Sequence, residues 1–252
     1  KTAYEIKECD WSSDVCSSDL TLFQAASISK AVAALGVMVL VEHGVLDLDA
    51  DVNSMLRSWH LPESPFTAQQ PVTLRALLSH TAGTTVPGFP GYEAGTPVPT
   101  VPELLSGRGV ANTPGVESFA VPGTVSQYSG GGTTIVQQVV CDVTGRDFTE
   151  LMRELVLSPL GMTDSDFDQP IASHRHARAA TGHRPDGQAI AGGHHVYPEL
   201  QAAGLWTTAV DLARWVIGVQ AAIRGDAGAV ISANTAQMMI TEIAPGPFGL
   251  GP

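Results

Sequence analysis

Lysine is nearly absent from this 252-residue chain: Lys1, Lys7 and Lys30 stand against ten arginines, and beyond residue 20 Lys30 is alone. No cluster of basic residues occurs anywhere, and the formal net charge is −12. Nucleic acid and anionic membranes select basic patches, so neither is expected as a partner. Long apolar runs are missing too. The longest, Ala31 to Val41, is too short to cross a bilayer, and no basic segment with a small-residue cleavage site precedes it, so no integral membrane segment is expected. Cysteine is scarce. Outside the first twenty residues only Cys141 occurs, which rules out a disulfide within 21–252 and leaves the redox compartment unreadable. There is no G-x-S-x-G, which argues against an α/β-hydrolase nucleophile elbow. His174, His176, His183, His194 and His195 follow neither H-E-x-x-H nor H-x-H-x-D-H, Arg178 standing where the latter needs aspartate. Neither a metal nor another cofactor is therefore expected.

What is present divides unevenly. Residues 1–20, KTAYEIKECDWSSDVCSSDL, hold two of the three cysteines, two of the three lysines and a tandem SSDV/SSDL echo, with no helix or strand period. They resemble the translated remnant of a sequencing adapter, the alternative being a natural flexible N-terminus, and are set outside the fold reasoning. From Ser27 an apolar helix runs to Gly44, with hydrophobic residues on almost every face, so it must be covered all round. Thr73 suits the cap of a helix ending near His80 to Gly83. Residues 84–125, with prolines at 87, 90, 97, 99, 102, 114 and 122, read as long loops around one short helix, PELLSG. YSGGG leads into a helix ended by Gly145. Asp147 with Glu150 and Thr208 with Asp211 suggest capping boxes, a hairpin is expected around Arg184 to Gly187, and a short helix follows Ser232. The terminal PFGLGP begins an alternating pattern. Helices dominate and strands are few, so the chain is either all-helical or part of something whose sheet lies elsewhere. The abrupt ending favours the second.

The lone lysine sits three residues after a serine. On a helix, Ser27 and Lys30 share a face about one turn apart, within hydrogen-bonding reach. A serine hydroxyl becomes a useful nucleophile when a neighbouring base removes its proton, and a lysine serves as that base when burial and positive potential lower its pKa from about 10.4. An apolar helix N-terminus supplies both, and its backbone N–H groups favour an oxyanion. S-x-x-K alone is a modest signal, the plain alternative being a lysine snorkelling from a helix end. The second element is Tyr128-Ser129-Gly130, after the turn at Pro122 to Thr124 and before further glycines that permit close backbone approach to a substrate.

SISK, LRALLSHTAG, PGTVSQYSGGG, LVLSPLGM and AAGLWTTAVDLARW, in this order, resemble the serine beta-lactamase-related family of class C beta-lactamases, D-alanyl-D-alanine carboxypeptidases and esterases. The resemblance implies an α+β, beta-lactamase/transpeptidase-like fold, here a helix-rich fragment lacking most of the central antiparallel sheet. Residues 21–252 would be a partial catalytic domain, truncated at both ends and weak or inactive by itself. It implies a serine hydrolase working through an acyl-enzyme on an amide, lactam or ester, with a small-molecule or peptidoglycan-like substrate and a periplasmic or secreted location. Ser27 resembles the acylated nucleophile, Lys30 its activating base and Tyr128 the residue that relays the proton. Ser129 and Gly130 fall at substrate-binding positions, Gly130 where the family more often has the asparagine of Tyr-x-Asn. A non-catalytic penicillin- or peptidoglycan-binding domain of the same fold is the alternative. His80 reads as a structural turn residue.

Overall fold

The computed structural model describes residues 18–251. Its centre is α1 (Ile28–Glu42), eleven of whose fifteen residues are buried, and the turn through His43 to Gly44 at φ 70° ends it as expected. Strands are not what covers this apolar helix. Helices do: α7 (Leu200–Ala203), α6 (Phe148–Met152) with the π-helical turn Arg153–Leu157 that continues it, and α9 (Ala233–Ile240) pack around it. A second long helix, α5 (Gly130–Thr144), lies on the other side of α7 and carries α2 (Val52–Met55), α3 (Leu74–Leu78) and α4 (Val101–Leu105). The remaining helix, α8 (Ala209–Arg224), packs on α9. Among the described residues none is long and apolar enough to cross a membrane.

Short polar side chains start most of these helices, α1 and α7 excepted, by accepting orphan backbone N–H groups. Thr73, Thr100, Ser129, Asp147, Thr208 and Ser232 each cap the helix that follows. Only Thr100 with Glu103 forms a reciprocal box. At Thr208 the expected partner is diverted: the buried Asp211 carboxylate accepts from Asp164 N–H at 2.9 Å and Ser165 Oγ at 2.8 Å, and pairs with Arg214 at 2.6 Å. Holding the 164–165 loop satisfies more of its lone pairs than one backbone amide would.

The described strands form two antiparallel pairs of two residues each. β1 (Phe23–Gln24) pairs with β4 (Trp206–Thr207), and β2 (Tyr92–Glu93) with β3 (His195–Val196). The expected hairpin near Arg184 amounts to one bridge, His183 with Ala189. The 248–251 segment forms no strand. Leu250 N–H donates to Met239 O at 2.8 Å and Gly251 N–H to Leu78 O at 3.1 Å, so the segment satisfies carbonyls at the ends of α9 and α3. Those are acceptors a helix leaves unpaired.

Candidate active site

Ser27 is the N-cap of α1 and is exposed, whereas Lys30, one turn on, is only 5% exposed. Just before Ser27 the chain turns sharply: Ala26 has φ 45°, and Ser29 N–H donates to Ala26 O at 2.9 Å. A strap at 202–207 holds this corner. Ala25 N–H donates to Leu205 O at 2.9 Å, Leu205 N–H donates to Ser29 Oγ at 3.0 Å, and β1 pairs with β4 alongside.

The Lys30 ammonium donates to Ser27 Oγ at 3.2 Å and to Ala202 O at 2.8 Å, and lies 5.0 Å from the centroid of the Tyr128 ring. Burial lowers its pKa from the usual lysine value, against a smaller opposing effect of the Tyr128 hydroxyl. Ser27, paired with Lys30 by spacing, and Tyr128, from the second motif, thus converge on the Lys30 amine. The carbonyl of Ala202 had no sequence signal, since every residue carries one; Phe248, whose ring lies 6.1 Å from that of Tyr128, sat in a segment read as strand-like.

Behind Tyr128 lies His80, buried and at φ 57°. The ring centroids of His80 and Tyr128 are 4.4 Å apart, and Phe248 meets the His80 ring edge-on at 5.0 Å. Ser129 N–H donates to His80 Nδ1 at 3.2 Å, and Gln127 N–H donates to His80 O at 2.9 Å. Burial first, and the Lys30 charge second, push the imidazole pKa down to about 4.

Ser129 and Gly130 occupy the wall next to Tyr128 in a different sense from the one their motif suggests. The Ser129 hydroxyl, on a residue only 2% exposed, donates to Thr85 O at 2.6 Å and accepts from Gly132 N–H at 2.8 Å. Gly130 is buried beneath residues 87–89: its N–H donates to Pro87 O at 3.2 Å, and a Cβ there would stand 3.1 Å from Phe89 Cε2. The close approach that these glycines permit is to the protein's own 84–89 loop. Outside the site, His176 engages Ile171 O through Nε2 at 3.1 Å, His194 lies edge-on to Trp206, and His195 Nδ1 lies 2.9 Å from Pro90 O. Among the described residues no three His, Cys, Asp or Glu side chains converge as metal ligands.

The beta-lactamase family model matches residues 17–252. The chain belongs to the beta-lactamase family. It is 33% identical over 156 residues to esterase EstB of Burkholderia gladioli, a match covering 58% of this chain and 38% of the esterase. It is 30% identical over 154 residues to the lovastatin esterase of Penicillium rubens, covering 56% of this chain and 38% of that one. The matched stretches therefore span well under half of each relative. The octameric penicillin-binding protein homologue of Pyrococcus abyssi superposes with a TM-score of 0.69 at 24% identity, over 93% of this chain and 54% of that one. The fold of this beta-lactamase family chain is thus of the α+β beta-lactamase/transpeptidase type, helix-rich and with few strands.

Proposed function

We propose that this chain carries the machinery of a serine acyl hydrolase that forms and hydrolyses an acyl-enzyme on small-molecule or peptidoglycan-like amides, lactams or esters. Ser27 is the nucleophile, Lys30 its base and Tyr128 the proton relay. The observation that supports this reading best is the buried Lys30 amine, 3.2 Å from Ser27 Oγ and 5.0 Å from the centroid of the Tyr128 ring. Desolvation favours the neutral amine, which keeps one N–H on Ala202 O and turns its lone pair to the serine hydroxyl. Ser27 Oγ then bonds to the substrate carbonyl carbon as its proton moves to Lys30 Nζ. The oxyanion faces the Ser27 N–H, which has no partner among the described residues, at the start of α1, where the helix dipole favours negative charge. On collapse the leaving amine or alkoxide takes the Tyr128 hydroxyl proton, and Tyr128 is reprotonated from Lys30. Water repeats the sequence in reverse to free Ser27. Ser129 and Gly130 shape the wall beside Tyr128, their polar groups being engaged by His80, Pro87 and the 84–89 loop.

A fluorophosphonate and a labelled penicillin test this, with adducts located by intact mass and peptide mapping. A single adduct on the Ser27 peptide, lost in Ser27→Ala, is expected; labelling undiminished in that variant overturns the assignment. Lys30→Arg should label nearly as poorly as Lys30→Ala, both down by about 10²-fold or more, because a guanidinium stays protonated.

A further inference from the structure

Tyr128 lies in a segment without helix or strand, so tertiary contacts must aim its ring. One residue grips the chain on both sides of it: His80 accepts from Gln127 N–H with its carbonyl and from Ser129 N–H with Nδ1, while its ring lies against the phenol. That double grip needs the left-handed turn at φ 57°, a conformation in which histidine, asparagine and aspartate are over-represented among non-glycine residues. A backbone N–H is an unambiguous donor, so Nδ1 carries no proton and the ring hydrogen is on Nε2. The titratable groups facing the ring are Lys30 from α1 and Tyr128 itself. Protonation of Nδ1 would remove the acceptor for Ser129 and set a second cation near Lys30.

Resting on the reading of Ser27, Lys30 and Tyr128 above, we propose that His80 is a positioning residue that holds Tyr128 against Lys30, and that it does so only as the neutral imidazole. Burial and the Lys30 charge maintain that form down to about pH 4. The residue touches no reacting atom; it acts through the aim of Tyr128.

The test uses the full chain labelled with ¹³Cζ-tyrosine, the Tyr128 resonance being assigned from Tyr128→Phe. His80→Asn keeps a side-chain acceptor and tolerates the left-handed turn, whereas His80→Ala keeps neither. Alanine should displace the Tyr128 signal and slow fluorophosphonate labelling of Ser27 by about tenfold or more with unchanged far-UV circular dichroism. Asparagine should leave the signal in place and restore most of the labelling rate. In the wild type the Tyr128 signal should move as the pH falls through about 4, and in His80→Asn that step should vanish. A Tyr128 signal undisturbed by alanine, or an acid step that survives asparagine, overturns the proposal. Absence of labelling at Ser27 in the wild type would instead bring down the catalytic reading, while the tyrosine signal still decides whether His80 holds that side chain.

Discussion

Two buried ionisable groups outside the Ser27–Lys30 pair set how stability responds to acid. His80 has its pKa pushed down to about 4 by burial, and Glu199, fully buried with neither carboxylate oxygen hydrogen-bonded, has its pKa pushed up to about 7. The unfolded histidine takes up a proton near 6.5 and the folded one near 4, so its contribution to stability is lost as pH falls across that window. The unfolded glutamate loses its proton near 4.5 and the folded one near 7, so its contribution is lost as pH rises across an overlapping window. Each amounts to about 3 kcal/mol, and the two oppose each other. Urea denaturation between pH 4 and 7 should therefore show stability rising more steeply with pH in Glu199→Gln than in the wild type, and falling relative to the wild type in His80→Asn. Three parallel pH curves would refute the linkage. Ser27 and Lys30 were legible because a helical period and one unusual residue type coincide there. His80 was legible only as a turn, since its partner is a backbone N–H 49 residues away.

At the scale of elements, capping chemistry was the most readable part of the sequence because it is local: an acceptor side chain and a donor two or three residues on. Asp211 and the 248–251 segment were not, because loop backbone and helix carbonyls remote in sequence compete for them. The glycines of α1 and α5 show the same contrast energetically. Replacing a helical glycine by alanine gains up to about 1 kcal/mol in intrinsic propensity, less at the second residue of a helix such as Gly131 than in the middle. At Gly131 the added Cβ would stand 2.7 Å from Val116 Cγ2 and 2.9 Å from Thr85 O, and the backbone there is itself tied by Gly131 N–H to Val86 O at 2.9 Å. At Gly36 it would meet the flexible end of Met152, Cε and Sδ both at 2.7 Å. Gly131→Ala should thus cost about 1–3 kcal/mol by overpacking, while Gly36→Ala stays within about 1 kcal/mol of the wild type as the methionine yields. Equal shifts in the denaturation midpoints would contradict this account.

Across the whole molecule, the residues that meet at Lys30 come from remote parts of the chain. The bond from Lys30 to Ala202 O spans 172 residues, and β1 meets β4 over a similar distance. The helices, by contrast, are closed by neighbours in sequence. Ordering distant segments demands loop-closure entropy before their contacts are rewarded, so local structure forms first and high-contact-order pairings last. On refolding from urea, far-UV circular dichroism should recover ahead of the capacity of Ser27 to take a fluorophosphonate; coincident time courses would argue against late assembly. Under the proposed Ser27 chemistry and this order of assembly, the strap at 202–207 that fastens the start of α1 would also be a kinetic gate on competence. A nascent or recovering chain can display most of its helices while its serine is still chemically indistinguishable from any other on the surface.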